Sequence, residues 1–516
     1  MSQEQSGSGA RRLRRGLRVA LAGRRDPAPG AGQRSRSARG LGDEHTRGVL
    51  DLTIRLAEVM LSSGSGTADV VDTARDVAMA YQLTDCVVEV TFTTIIVSAP
   101  PTADSPAVTI VRSVSTRAID YTRLADLDLL VRRITAGGVA VAEAHEAMDE
   151  LTEQPHPYPR WLATAAWAGF ALGIAMLMGG TGLTCLVAAV AAALIDRIGR
   201  LLNRIGTPFF FQHAAGAGIA TLIAVAVNQW SGQGLSTLVA TNIVVLLSGM
   251  TIVGSMQDAL TGYMITALAR LGDAVFLTGG IVVGILGALQ LATVAGVEIE
   301  LRVDVSQSFA IPYQPLPITI AVAGAALAGA CLTIASYGPL RSVTTAAVAG
   351  GLGAAVSISL AAAGFGQVVA TGIAAVCVGF FATVISIRRH APALVTATAG
   401  ITPLLPGLAV FRAVFAFAVE ERFDDGLAQM LAAGAIALAI GSGVVMGEFI
   451  GAPLRYGAGR FGGFLRTEEP PGIRRAVGRV ARLRPARSPR GAGTRSRSVA
   501  LEPRSGDDIP PSGESG

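Results

Sequence analysis

Apolar residues are spread along this chain in two regimes. From 161 to 451 the sequence is Ala, Gly, Val, Leu and Ile with sparse charges, and the charged residues are concentrated on either side. Within that stretch the pattern predicts ten apolar spans, near 162–179, 182–195, 208–227, 236–255, 274–295, 316–336, 343–363, 367–387, 393–418 and 427–450. A helix needs about 20 apolar residues to cross a bilayer, and the second span is short by that measure. The expected fold is an all-α polytopic membrane domain of ten transmembrane helices, preceded by a small soluble α+β domain.

The soluble domain is expected over 45–155. Val49, Leu52, Leu56 and Val59 form a helical stripe that stops at Ser62-Ser63-Gly64. Thr67 is a candidate N-cap for a second helix that carries Val71, Ala74, Val77 and Tyr81 on one face. Cys86 to Ser98, dense in Val, Thr, Ile and Phe, reads as one strand and Ala107 to Val114 as another. Helices are expected over 120–135 and 139–153. Residues 1–44 and 465–516, rich in Gly, Ser, Pro and Arg, are expected to be disordered. Within the tail, Ile473, Val477, Val480 and Leu483 oppose Arg474, Arg475, Arg479 and Arg482. That segment reads either as an amphipathic helix on an anionic leaflet or as a solvated basic tail.

Composition agrees with the pattern. The chain is 51% hydrophobic and only 15% charged, against about 25% charged in soluble domains. All 42 basic residues are Arg, which we read as genome composition. With no Lys there is no Walker lysine, so nucleotide-driven transport by this chain alone is disfavoured. The four cysteines are isolated and no His-Glu-x-x-His exists, so neither a zinc site nor any other cofactor is expected. The apolar run Val19 to Ala22 is too short for a secretory signal.

Charge also orients the spans. With the soluble domain inside, the inner loops carry Arg197, Arg200, Arg204, Arg270, Arg341, Arg388 and Arg389. The outer loops carry only Arg302 and Arg422, among Glu298, Glu300, Asp304, Glu420, Glu421, Asp424 and Asp425. That asymmetry fits the positive-inside rule and puts both termini in the cytoplasm.

The spans fall into two related sets of five, over 160–300 and 315–452. Residues 168–177 match 323–332 at six of ten positions, at an offset of 155. Gly218-Ile219-Ala220 matches Gly372-Ile373-Ala374 at 154, and Ser248-Gly249-Met250 sits against Pro406-Gly407-Leu408 at 158. A unit with an odd number of spans must be inverted in its second copy. In inverted-repeat transporters the substrate sits between the repeats, at interrupted helices near mid-membrane.

Two mated segments are candidate interruptions, 241–250 and 402–408. Pro403 and Pro406 each remove a helix donor, and Gly249 and Gly407 loosen the backbone. The alternative is close helix packing through small residues. The candidate substrate-binding residues are Arg412, Asp258, Gln257, Asn242, Ser248, Gly249, Pro403, Pro406 and Gly407. Arg412 suits a carboxylate, or else it snorkels or pairs with an acid. Asp258 suits an ammonium or a proton relay, or else it is a solvated loop residue. A charge within a span invites a functional reading because it is costly to bury there.

Several stretches resemble the threonine/serine exporters: Leu61 to Val70, Val88 to Ser98, Ser248 to Val253, Gln257 to Gly262, Ala269-Arg270-Leu271 and Leu405-Pro406-Gly407-Leu408. The likeness covers about 45–455. It implies a cytoplasmic N-terminal region, ten spans, and export of threonine and serine across the cytoplasmic membrane, driven by the proton motive force. The expected partners are the amino acid substrate, protons and the lipid bilayer, with no nucleic acid. Ser248 departs from the family's usual proline. Two other readings stay open: a membrane-anchored enzyme with a hydrolase-type activity in 45–155, and a non-transporting sensor or assembly subunit.

Overall fold

The computed structural model describes residues 31–101, 105–114, 120–247, 249–297, 315–389, 393–418 and 423–456. Ser248, the charged residues of 298–304, residues 419–422 and the tail stripe 473–483 lie outside them.

The soluble domain is organised around α1 (Ala31–Ser62). Leu50, Leu52, Ile54 and Leu56 are all fully buried, so this helix is apolar on more than the single stripe expected. A helix buried on several faces needs partners all round. Here α2 (Thr67–Ala80), α3 (Tyr121–Thr135), α4 (Val141–Glu153) and two strands all touch it. The helix also begins at Ala31, inside the stretch expected to be disordered.

Cys86 to Ser98 is not one strand but a hairpin of β1 (Val87–Thr91) and β2 (Thr94–Ala99), and β3 (Val108–Ser113) completes an antiparallel sheet in the order β1-β2-β3. Thr91 pairs with Thr94, which leaves Phe92-Thr93 as the turn. Two-residue hairpin turns favour Gly, Asn or Asp because they need positive φ. Phe92 takes φ 54° without any such residue type, so the turn carried no sequence signal. Val88, Val90, Ile95 and Val97 share the buried face.

The apolar region forms five helical segments before residue 298 and five after 314. The first group is α5 (Arg160–Leu177), α6 (Gly182–Arg204), α7 (Phe209–Ser231), an interrupted segment, and α10 (Met264–Val294). That interrupted segment consists of α8 (Leu235–Asn242), a 3-10 turn (Val244–Leu246) and α9 (Gly249–Leu260). The second group is α11 (Pro315–Ala335), α12 (Leu340–Ala362), α13 (Gln367–Arg389), an interrupted segment, and α16 (Phe423–Tyr456). Its interrupted segment is α14 (Ala393–Ile401), a 3-10 turn (Thr402–Leu404) and α15 (Gly407–Ala418). Among the described residues, seven helices are long and apolar enough to cross a membrane, or eight segments counting the bent α8–α9 pair. The chain is a multi-pass membrane protein.

Packing depends on small residues. In each group the third segment lies on the fifth, α7 on α10 and α13 on α16. The two groups meet where α5 crosses α11. A Cβ on Gly173 would come within 2.5 Å of the Gly324 carbonyl oxygen, and one on Gly324 within 2.5 Å of the Gly173 carbonyl oxygen. Lipid supplies no hydrophobic drive between helices, so such close backbone contact supplies the attraction instead.

Gly324→Val is therefore expected to lower the thermal midpoint of the detergent-solubilised protein, with a cost of about 1–3 kcal/mol or more for overpacking. Gly199→Ala, where a Cβ meets nothing within 4 Å, is expected to leave the midpoint unchanged or raise it.

Candidate functional site

The two interruptions have the same backbone. Ile243 (φ −85°, ψ −4°) leads into one 3-10 turn and Leu247 (φ −69°, ψ 125°) leaves it; Ile401 (φ −85°, ψ −18°) and Leu405 (φ −59°, ψ 138°) do so in the other. At Leu405 the cause is in the sequence, because a residue before proline is pushed out of the helical region. Leu247 adopts the same extended form with Ser248 following it. Pro406 then starts α15, its carbonyl accepting the Val410 N–H at 2.9 Å.

The interruptions pack on each other reciprocally. A Cβ on Gly249 would stand 3.0 Å from Leu405 Cβ, and one on Gly407 would stand 3.0 Å from Leu247 Cβ. Each glycine thus meets the leucine that stands two residues before the other glycine, and both pairs are spaced by 158 residues. Thr402, at the second break, donates its hydroxyl to the Thr398 carbonyl oxygen at 2.7 Å and lies 3.9 Å from the Met250 sulfur across the crossing.

Asn242 sits just before the first break and is fully buried. Its Nδ2 donates to the Ala220 carbonyl oxygen at 3.1 Å, while its Oδ1 is buried with no hydrogen-bond partner. A buried acceptor left unpaired costs about 1–3 kcal/mol. Unpaired polar atoms of this kind call for an explanation, such as a ligand or an ordered water.

Asp258 lies elsewhere. It is nine residues past Gly249, about 13 Å along α9 at the rise of an α-helix. Its side chain is 1% exposed; Oδ1 accepts the Thr67 N–H at 2.9 Å and Oδ2 pairs with Arg270 at 3.0 Å. Arg270 in turn donates to the Ser65 carbonyl oxygen at 3.3 Å. Asp258 is thus engaged by the soluble domain and is not a solvated loop residue. Thr67 is not the N-cap it was expected to be: Gly66 is, with no side-chain cap bond. The capping oxygen comes instead from Asp258, 191 residues away.

Of the other candidates, Gly249, Pro406 and Gly407 are buried at the crossing, and Pro403 is half-buried in the second 3-10 turn. Gln257 is half-buried and packs on Gly441 of α16. Arg412 is half-buried on α15, five residues beyond Gly407. Sequence reasoning missed Thr266, which accepts the Phe92 N–H at 3.0 Å and steadies the non-glycine turn. It also missed Asp120, which caps α3 through Thr122 and Arg123 and pairs with His156 at 2.8 Å. The Asp120-x-Thr122 pattern before a helix was a usable signal for the cap.

A cleft of about 300 Å³ in the soluble domain is lined by Arg55, Glu58, Ser62, Arg112, Met148 and Thr152, among others. Its polar groups bond one another: Arg112 donates to Glu58 at 2.7 Å, and the Ser62 hydroxyl donates to the Val59 carbonyl oxygen.

Comparison with known proteins agrees with this layout. The family described as "Putative threonine/serine exporter" matches residues 51–292, and "Threonine/Serine exporter, ThrE" matches 321–450. The chain belongs to the threonine/serine exporter family. It is 70% identical over 512 residues to a "Probable threonine/serine exporter" of Mycobacterium tuberculosis, covering 99% of this chain and 96% of the relative. It is 33% identical over 414 residues to the "Threonine/serine exporter" of Corynebacterium glutamicum, covering 79% and 83%. No solved structure matches it significantly. Family membership makes the chain a transporter and not an enzyme, and nothing supports a hydrolase reading of the soluble domain. The two family matches meet the two groups of helical segments, one interruption in each.

Reciprocity at the exporter's crossing sets up a rescue test. Gly407→Ala is expected to cost about 1–3 kcal/mol of thermal stability through its clash with Leu247. Adding Leu247→Gly, which removes the Cβ that Gly407→Ala would meet, is expected to make the double variant less destabilised than the sum of the two single changes, and Gly249→Ala with Leu405→Gly is expected to behave the same way.

Proposed function

We propose that this protein exports threonine and serine across the cytoplasmic membrane, coupled to the proton motive force. In this reading ten spans form two inverted sets of five, and the substrate binds where the two interrupted helices cross. The observation that carries it is the reciprocal packing of Gly249 on Leu405 and Gly407 on Leu247 beside the unpaired Asn242 Oδ1. An ammonium or hydroxyl donor from a small amino acid is the chemistry such an oxygen lacks.

Inversion is supported by a second reciprocal pair. A Cβ on Gly169 would meet Cys331, and one on Gly324 would meet Met176. At offset 155 these two contacts exchange, as a two-fold axis requires. Ten spans and their direction are supported by parity. The soluble domain touches the chain at the His156–Tyr158 linker, at Asp258–Arg270, at Ser336–Gly338 and at Val395. All four lie on one side of the membrane, so an even number of crossings separates each from the next. Between Tyr158 and Asp258 that requires α6 to cross with α5, α7 and the α8–α9 pair. Its 23 residues reach about 34 Å, and its Asp196 is neutralised by Arg200 at 2.9 Å and a Thr164 hydroxyl at 2.7 Å. The four contact regions are all inner ones by the Arg count, which agrees with a cytoplasmic soluble domain and cytoplasmic termini.

In an inverted pair, α9 and α15 run from the crossing toward opposite faces. Asp258 then serves the cytoplasmic end and Arg412 the outer half, so they act in turn and not on one bound substrate. Gln257, Ser248, Pro403 and Pro406 shape the path around the crossing. Proton coupling falls to Asp258, whose carboxylate ties Arg270 to the Thr67 N–H.

Everted membrane vesicles are expected to accumulate labelled threonine and to lose it when a protonophore is added. Asn242→Ala is expected to lower Vmax/KM about 10- to 100-fold, the worth of a hydrogen bond to a charged group. Asp258→Asn is expected to abolish protonophore-sensitive accumulation while threonine–threonine exchange persists. Accumulation in wild-type vesicles that ignores the protonophore would contradict the coupling, and no accumulation at all would contradict the export.

A further inference from the structure

The two interrupted helices share a second meeting place, outside the crossing. The C-terminal end of α9 is held by the soluble domain through Asp258, the Thr67 N–H and Arg270. The N-terminal end of α14 enters the soluble domain itself, since Val395 is fully buried as a member of that domain's apolar core, with Leu394 beside it. From α3, Tyr121 is 4% exposed, shares the apolar core with Val395, and sets its hydroxyl beside the Thr398 side chain. Burial pushes the Tyr121 phenol up to about 12, so it keeps its proton throughout the physiological range. The start of α3 is also fixed: Tyr121 N–H donates to the Ser336 carbonyl oxygen at 3.0 Å, and His156 stacks on Tyr337 at 4.2 Å.

These contacts close a loop through the site. Tyr121 meets α14 at Val395 and Thr398, and the Thr398 carbonyl accepts the Thr402 hydroxyl at the second break. Thr402 touches Met250 on α9, and α9 ends on Asp258, which returns to the soluble domain at Thr67. We propose that the soluble domain is a positioning element for transport: through Tyr121 on α14 and Thr67 on α9 it sets the two interrupted helices relative to each other, so the crossing rearranges only in concert with this domain. Tyr121, Thr67 and Thr398 are then positioning residues that touch no substrate. The proposal rests on the crossing being the transport site, and it adds the element that moves that site.

The test compares Tyr121→Phe, Thr398→Val and the double variant in the full-length protein. Each single change is expected to lower threonine Vmax about 2- to 10-fold, the range for one neutral hydrogen bond, with KM within twofold. The double variant is expected to be no worse than either single. Leu127→Ala, a core truncation in the same domain, is expected to lower the thermal midpoint but keep Vmax per folded molecule. Hydrogen exchange, which needs no transport, is expected to speed up in Tyr121→Phe at both breaks, 242–250 and 398–405. Wild-type vesicles that fail to move threonine would overturn the export reading, and exchange would still decide this one. Exchange unchanged at 242–250, or additive Vmax losses, would overturn the positioning role.

Discussion

A helix interrupted inside a bilayer leaves backbone N–H and C=O groups that hydrocarbon cannot satisfy, so it persists only where protein or a cavity surrounds it. This protein carries two interrupted segments in its apolar region and sets each against the other. Gly249 and Gly407 permit the approach, and Leu247 and Leu405 fill it. The rest of the architecture supports that arrangement. Small residues bring α5 and α11 together between the groups, and α7 with α10, and α13 with α16, stand behind each interrupted segment. Each break covers part of the other, and Gly249, Thr402, Leu404 and Gly407 are buried where they meet.

The second constraint is the price of a buried charge. Asp258 is 1% exposed near the C-terminal end of α9, and it survives there because a backbone N–H and a guanidinium meet both oxygens. Neither partner is local: Thr67 comes from the soluble domain and Arg270 from the next helix. Two stretches of sequence, Leu61 to Val70 and Gln257 to Leu271, therefore form one structural unit although nearly two hundred residues separate them. That unit, with Tyr121 and Val395 on the other side, gives the soluble domain a hold on both interrupted segments.

Much of this was legible in the sequence because it depends on local rules. The apolar runs have helical length, and Leu405-Pro406-Gly407 must break a helix. The stripe over 49–59 and the helices over 120–135 and 139–153 follow periodicity alone. What escaped depends on distant partners. The hairpin turn at Phe92 has no glycine because Thr266 of α10 holds its N–H. Thr67 looked like a cap because no local rule could reveal that Asp258 supplies the oxygen. The α6 segment looked short because Asp196, Arg197, Arg200 and Arg204 lower its hydropathy, while the helix itself runs on to Arg204.

The central claim is that a small hydroxy amino acid sits at the crossing, against Asn242. The most direct measurement is a structure of the protein determined with threonine bound. The account predicts density between the Leu247 and Leu405 breaks, with a donor of the ligand within hydrogen-bonding distance of Asn242 Oδ1. Threonine bound elsewhere, with that oxygen still unpaired or met only by water, would contradict it.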